Sequence, residues 1–289
     1  MTTSSKTGWF TAATLGAALM ACLPLAQAQA KDWTSVNIAT EGSYEPWNLT
    51  LPGGKISGFE PELMAVLCER MKLKCNIAVQ NWDGMIASLN AGKFDVLMDA
   101  IVITDERKQV MDFSIPYAST PASFVALDAK ALPGTPGEAA ALTLGNDSAK
   151  TSAAMAEVKA ALKGKTIGIA SGTVYTPFID EQFKDVATVR EYGSSAEAVL
   201  DLQAGRIDVV FDDVTFLNSL MAKDENKNLA YTGPEIKGPI FGEGEALGFR
   251  KQDADLKARF DAALKDALAD GTVKKLSEKW FKVDLTPKS

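Results

Sequence analysis

The sequence predicts an α/β protein of two similar lobes, each a doubly wound, mainly parallel sheet flanked by helices. Three observations lead there. Short β-branched runs alternate with amphipathic helical patterns, the order parallel sheets require. That alternation occurs twice along the chain. The segments Leu89-Asn90-Ala91-Gly92-Lys93-Phe94-Asp95-Val96-Leu97-Met98-Asp99 and Leu202-Gln203-Ala204-Gly205-Arg206-Ile207-Asp208-Val209-Val210-Phe211-Asp212 also agree at six of eleven positions. Each reads as a helix end, a glycine cap and a strand leading to an acid. A generic helix stop recurring by chance is the competing explanation.

Residues 1–30 stand apart from this pattern. Lys6 precedes an apolar run from Phe10 to Ala21, and Ala26-Gln27-Ala28 or Ala28-Gln29-Ala30 offers small residues for cleavage, so the segment reads as a cleaved export signal. A retained anchor would want roughly 20 predominantly apolar residues, and Thr11, Thr14 and Pro24 interrupt this run. Leu19-Met20-Ala21-Cys22 is a weaker match to a lipoprotein site. No later stretch is apolar enough to span a bilayer, which leaves about 260 residues to be soluble outside the cytoplasm, room for one large domain or two ordinary ones. The formal net charge of −7 becomes −8 once Lys6 leaves with the leader. So acidic a balance argues against nucleic-acid and anionic-lipid partners.

The first block predicts a strand at Val36–Ala39, a helix from Glu60 to Met71, a strand at Asn76–Val79, a helix from Met85 to Asn90 and a buried strand at Phe94–Met98. The second predicts a strand at Thr166–Ala170, a helix from Pro177 to Phe183, a strand at Thr188–Glu191, a helix from Ala196 to Ala204 and a buried strand at Ile207–Phe211. Helices around Asp255–Ala269 and Val273–Phe281 close the chain and should return to the first lobe. Ala118-Ser119-Thr120-Pro121 and Thr232-Gly233-Pro234 fall between the blocks and read as the two crossing strands of a hinge. The first lobe is then expected to comprise 31–119 and 235–289, and the second 120–234. Residues 128–153, with Leu132-Pro133-Gly134-Thr135-Pro136-Gly137, show no sustained period and read as a surface excursion of the second lobe. Cys68 and Cys75 are the only cysteines after the leader and, in an oxidising compartment, should pair. A two-cysteine metal site is the alternative, but it would lack further cysteine or any histidine to complete it.

The absence of histidine also removes the commonest general base. There is no Gly-x-Ser-x-Gly elbow and no phosphate-cradling glycine loop. Gly242-Glu243-Gly244-Glu245-Ala246-Leu247-Gly248 carries two acids and no helix start, and reads as a loop. Asp212 and Asp213 are adjacent on a strand end and should point opposite ways. Ligands of doubly wound sheets collect beyond the carboxyl ends of the strands. Here those ends carry Glu41 to Tyr44, Trp82, Asp99 to Arg107, Ser171 to Tyr175 and Asp212-Asp213. One cation and helix-start amides among acids and aromatics suit a zwitterion.

Glu41-Gly42-Ser43-Tyr44-Glu45-Pro46-Trp47, Gly58-Phe59-Glu60, Ile103-Thr104-Asp105-Glu106-Arg107, Ala204-Gly205-Arg206-Ile207-Asp208 and Asp270-Gly271-Thr272 together resemble the periplasmic amino-acid-binding proteins of family 3, over nearly the whole mature chain. The nearest branches are the lysine/arginine/ornithine/histidine-binding and the octopine- and nopaline-type opine-binding proteins. The resemblance implies the type II periplasmic-binding-protein fold, a monomer in the periplasm without a cofactor, and delivery of the ligand to the permease of an ABC importer. It implies that Arg107 grips the ligand α-carboxylate with help from the backbone of Thr173 and Val174, that Asp213 receives the α-ammonium, and that Tyr44 and Trp82 sandwich the side chain. Glu41, Asp99, Ala100, Val102, Ala170 and Tyr175 complete the expected ligand-binding set. Cys68 and Cys75 match the disulfide of the basic-amino-acid branch. Asp99, Ala100 and Val102 stand where that branch commonly has serines, and opine binders usually lack an acid at Asp213, so an arginine/ornithine/lysine-type ligand and an opine both stay open. A surface role for Arg107, N-capping by Thr173 and core packing of Tyr44 and Trp82 are the structural alternatives. An enzyme on the same scaffold, similar to cyclohexadienyl or arogenate dehydratases, is the competing function. A receptor sensor domain is a third, disfavoured by the lack of a span after the second lobe.

Overall fold

The computed structural model describes residues 1–3, 33–134, 142–143 and 149–287. The chain divides into two units after Lys31. The expected leader lies in the first unit and, apart from residues 1–3, outside the described residues.

Within the second unit, the first large sheet is formed by β1 (Ser35–Thr40), β5 (Lys74–Val79), β6 (Val96–Val102), β7 (Asp112–Phe113) and β14 (Glu245–Phe249), in the order β5-β1-β6-β14-β7. A small antiparallel sheet of β2 (Ser43–Tyr44), β3 (Asn48–Thr50) and β4 (Ile56–Ser57) follows β1. The second large sheet contains β8 (Ala122–Ala126), β9 (Leu142–Thr143), β10 (Thr166–Ala170), β11 (Thr188–Tyr192), β12 (Val209–Asp213) and β13 (Ala230–Lys237), ordered β11-β10-β12-β8-β13-β9. β1 pairs in parallel with β5 and β6, and β10 with β11 and β12, while β14 and β8 join antiparallel. The helices are α1 (Phe59–Met71), α2 (Met85–Asn90), α3 (Asp105–Val110), α4 (Ala149–Ala161), α5 (Tyr175–Phe183), α6 (Ser195–Gln203), α7 (Val214–Met221), α8 (Ala254–Ala269) and α9 (Thr272–Phe281). No helix among the described residues is long and apolar enough to cross a membrane.

The helix signals act locally as charge and capping rules dictate. α1 begins with Glu60 and Glu62 in its first turn, where the helix dipole favours acids, and stops at Lys72 in the left-handed conformation. Its inner face buries Phe59, Leu63, Met64 and Leu67, each worth about 1.5–3 kcal/mol when fully removed from water. A disulfide joins Cys68 near the end of α1 to Cys75 on β5. Leu256, Phe260 and Leu264 of α8 and Val273 of α9 enter the same core as α1 and the first sheet.

The internal repeat is one of hydrogen bonding as well as of sequence. Gly92 and Gly205 both take positive φ, +78° and +67°. Three residues on, Asp95 Oδ2 accepts from Asn37 N at 2.9 Å and Asp208 Oδ2 accepts from Thr166 N at 2.8 Å. Each acid thus ties the start of its own strand to the neighbouring parallel strand.

Several expectations are corrected. Glu245–Phe249 is β14, an interior strand between β6 and β7, because Ala246, Leu247 and Phe249 supply apolar contacts that outweigh the glycines in and before it. Thr232-Gly233-Pro234 lies inside β13, at an irregularity in its pairing with β8, so it does not cross between sheets. The second sheet keeps the chain to Lys237, and the return to β14 runs through 238–244. There Gly242 has φ +94°, and a Cβ would fall 2.2 Å from the carbonyl oxygen of Ile103, so only glycine fits against the end of β6. Ala118 bridges to Glu245 before the chain enters β8 at Ala122. Within the excursion expected at 128–153, Leu142–Thr143 adds an edge strand beside β13, and α4 starts at Ala149.

Candidate functional site

Where the carboxyl ends of the two large sheets face each other, a cleft of about 480 Å³ opens between them. On the first side, an irregularity in the β6–β14 pairing between Ala246 and Gly248 interrupts strand alternation. It places Ala100 at φ +46°, a left-handed conformation that a non-glycine residue adopts at a cost. The Ala100 N–H donates to Glu60 Oε1 at 2.7 Å, and the Tyr117 hydroxyl donates to the same oxygen. Asp99 next to it is buried and accepts from Glu41 N at 2.9 Å and Asn48 Nδ2 at 2.8 Å. Burial, then the charges of Glu41 and Glu60, pushes its carboxyl well above the usual carboxylate range. Glu41 is raised as well, chiefly by burial, while Ser43 Oγ donates to it at 2.7 Å.

Thr104 caps α3 by accepting from Arg107 N at 3.1 Å, which turns the Arg107 side chain into the cleft. Its guanidinium donates to the carbonyl oxygens of Val102 at 2.9 Å and Gly172 at 3.0 Å and lies 5.4 Å from the centre of the Trp82 ring. Among the described residues no carboxylate comes within ion-pair distance of it. Burial lowers its pKa to about 10.

On the second side, β10 ends at Ala170, whose carbonyl accepts from Thr173 Oγ1 at 2.9 Å, and the turn through Thr173 and Val174 leads into α5 at Tyr175. Val174 is the capping residue of α5; Thr173 Oγ1 accepts from Tyr175 N at 3.3 Å. β12 ends in Asp212-Asp213, and the two carboxylates converge, because Asp213 has already turned to cap α7. Both meet the hydroxyl of Tyr44 across the cleft, Asp212 at 2.6 Å. One hydroxyl has one proton to give, so a second proton must sit on one of the acids. Asp213 accepts from Thr215 N, Thr215 Oγ1 and Phe216 N and is the better anion. Asp212 is raised to about 7, by burial first and the Asp213 charge second.

Further contacts join the two sides. Trp82 Nε1 donates to Ser171 O at 2.8 Å, Tyr44 stacks on Phe216 with centroids 4.8 Å apart, and Lys223 pairs with Glu45 at 2.7 Å. These contacts describe a closed arrangement.

Of the residues expected at a ligand site, Glu41, Tyr44, Trp82, Asp99, Ala100, Val102, Arg107, Ala170, Thr173, Val174 and Tyr175 all line this cleft. Asp213 differs: it stands behind Tyr44, occupied by that hydroxyl and by the α7 cap. Ser194 and Ser195 line the cleft and were not anticipated. Their signal is a capping box: Ser194 Oγ accepts from Glu197 N at 3.3 Å, and Glu197 reaches back to Gly193 N at 3.0 Å. Among the described residues no group of three or more acids, cysteines or histidines could hold a metal ion.

Comparison with known proteins agrees with this arrangement. An octopine-binding periplasmic protein of Rhizobium meliloti is 39% identical over 289 residues, covering 94% of this chain and 97% of that protein. An L-arginine-binding protein of Pseudomonas aeruginosa is 33% identical over 253 residues, covering 86% and 89%. The crystal structure of a periplasmic His/Glu/Gln/Arg/opine family-binding protein from Silicibacter pomeroyi in complex with lysine superposes with a TM-score of 0.71 at 29% identity, covering 88% of this chain and 100% of that one. Residues 36–283 match the model of one family. With two sheet lobes closing on a cleft lined by opposite charges, the chain belongs to the bacterial extracellular solute-binding proteins, family 3.

Proposed function

We propose that this protein is the periplasmic binding component of an amino-acid ABC importer and captures a basic amino acid or an opine derived from one, leaving it chemically unchanged. One observation carries the reading. The cleft holds a buried guanidinium, Arg107, bonded only to carbonyls, and two acids, half-buried Glu41 and buried Asp99, that no cation of the chain neutralises among the described residues. A guest with a carboxylate for the first and an ammonium or guanidinium for the second satisfies both. The names of the octopine- and arginine-binding relatives support the same ligand class.

In this reading Arg107 takes the α-carboxylate with the turn at Thr173 and Val174, and Tyr44 and Trp82 flank the guest. The guest's ammonium displaces the Tyr44 hydroxyl from Asp212 and Asp213. The lobes are residues 31–119 with the chain after about 237, and 120 to about 237; they close about the crossings at 119–121 and 238–244. Residues 1–30 act as the cleaved export signal, and the mature protein works as a monomer that hands its guest to a cognate permease.

Thermal-shift screening against arginine, ornithine, lysine, histidine, octopine and nopaline tests the ligand. At 100 times its dissociation constant the right one stabilises by about 2.7 kcal/mol. No shift with any of the six would end the reading. Incubation with prephenate or arogenate should yield no aromatic product, and its appearance would replace transport with catalysis.

A further inference from the structure

Two runs singled out in the sequence, Pro46-Trp47 and Gly58-Phe59-Glu60, do not line the cleft. They are bonded to each other instead. Phe59 N donates to Pro46 O at 2.9 Å and Glu60 N to Trp47 O at 3.0 Å. A Cβ on Gly58, at φ +129°, would fall 2.3 Å from the Trp47 carbonyl oxygen, so only glycine permits the contact. That approach sets Glu60, in the first turn of α1, beside Asn48, the first residue of β3, and both side chains are buried.

Asn48 uses every hydrogen-bonding group it has. Its Nδ2 donates to Glu60 Oε2 at 3.0 Å and to Asp99 Oδ1 at 2.8 Å, and its Oδ1 accepts from Gly42 N at 2.7 Å. A primary amide supplies two donors and an acceptor together, whereas an aspartate has no proton to give and a leucine neither donates nor accepts. Glu41 N and Thr40 Oγ1, at 2.9 and 3.4 Å, also donate to Asp99 Oδ1, so all three donors fall on one oxygen. Asp99 Oδ2 has no donor among the described residues, yet it is not sealed from solvent as Trp47 Nε1 is, and the space that Asp99 lines is the cleft. Burial, then the charges of Glu41 and Glu60, drives Asp99 toward its neutral form, and the hydrogen bonds from Glu41 N and Asn48 oppose that drive. Among the described residues no cation of the chain acts on either Asp99 or Glu60.

We propose that Asn48 is the positioning residue of a cation subsite: it fixes Asp99 by Oδ1 and leaves Oδ2 to receive the distal guanidinium or ammonium of the guest, so the cleft selects guests by charge at that end. The inference rests on the proposed capture of a basic amino acid or an opine, and adds to it the atom that reads the cation and the residue that sets that atom in place. Glu60 and the close contact at Gly58 anchor Asn48 from behind. A cationic end gives Asp99 Oδ2 a charge-assisted hydrogen bond that a neutral end of the same shape does not.

The test compares, by calorimetry on the purified protein, the tightest guanidinium- or ammonium-armed guest with its neutral counterpart. In the counterpart a ureido group replaces the guanidinium, as citrulline does for arginine, or a methyl group replaces the terminal ammonium. Wild type should favour the cationic guest by about 10- to 150-fold. Asn48→Ala should cut that preference by about 10-fold while weakening the neutral guest far less, because it removes the donor that keeps Asp99 ionised and turned. A merely structural role would weaken both guests alike and leave the ratio unchanged. Asp99→Asn, which keeps the shape of the side chain, should lower the same ratio. Should the variants not fold, a crystal structure of the wild-type complex decides the matter: the distal nitrogen of the guest should lie about 2.7–3.2 Å from Asp99 Oδ2 with Asn48 still on Oδ1. Binding of none of the six candidate guests would end the proposed function itself. Binding of histidine alone, a wild-type preference no greater than for the neutral counterpart, an unchanged ratio in Asn48→Ala, or a distal nitrogen placed away from Oδ2 would each overturn this proposal and leave the function standing.

Discussion

Arg107 shows how much one side chain can reveal and how much its surroundings withhold. Its place is readable from Thr104-Asp105-Glu106-Arg107, because a threonine cap followed by acids starts a helix and fixes where the fourth residue points. What that run does not contain is the pair of carbonyls, Val102 and Gly172, that hold the guanidinium from two different elements. Under the proposed function, Arg107→Ala should weaken ligand binding by roughly 2–5 kcal/mol, about 30- to 4000-fold, because the ligand carboxylate is left buried without its partner. Unchanged affinity in a calorimetric titration would remove Arg107 from the site. Asp213 was legible as a strand-end acid but not as the cap of α7, since that role depends on Thr215 and Phe216 presenting their N–H groups. Ser194 and Ser195 were hidden for the opposite reason. The Ser-x-x-Glu box was present in the sequence, yet the apolar period starts only after it, and so it drew no attention to itself.

At the scale of elements, the alternation of strands and helices was legible because each parallel strand is a short apolar run and each helix a 3.6-residue pattern. The antiparallel additions were not. β14 follows Gly242 and Gly244 and contains Gly248, and only its position between β6 and β7 explains why it forms a strand. The irregularity that turns Asp99 and Ala100 toward the cleft arises from the same pairing and had no sequence signature. The repeat carries more than a helix stop, and its acids make that measurable. Asp208 holds Thr166 N at 2.8 Å and Lys165 at 3.1 Å. Asp208→Ala should lower stability by about 1–2 kcal/mol, seen as a reduced urea midpoint with an unchanged slope. An unchanged midpoint would make the repeat a coincidence of helix endings. Replacing Cys68 and Cys75 by serine should cost about 2 kcal/mol or less, because the disulfide closes only a short loop.

The whole molecule confines several acids that an open or unfolded chain would leave in water. Asp99, Asp212 and Glu245 are all raised above the ordinary carboxylate range, burial being the first cause in each case, with Asp212 and Glu245 near 7. Asp212 faces Asp213, Tyr44 and Ser195, and Asp99 faces Glu41, Glu60 and Asn48, so neither meets a cation of the chain. The closed protein therefore binds more protons than the unfolded chain between about pH 4 and pH 7. Stability is highest at the acid end of that window, falls as pH rises through it, and loses the whole contribution above about 7. The surface acids Asp185, Asp270 and Asp284 and the half-buried Asp201 are lowered instead, so their contribution is lost only at lower pH, outside the window. Without ligand, Tm should fall between pH 5 and pH 8, and Asp212→Asn should flatten that fall. A cationic guest inverts the trend, since its positive end stabilises the ionised carboxyls that closure otherwise penalises, and its affinity should rise across the same interval. A ligand-free Tm that is flat or climbs from pH 5 to pH 8 would mean these acids are not confined together in solution. An affinity that falls with rising pH would mean the guest brings no positive charge to them.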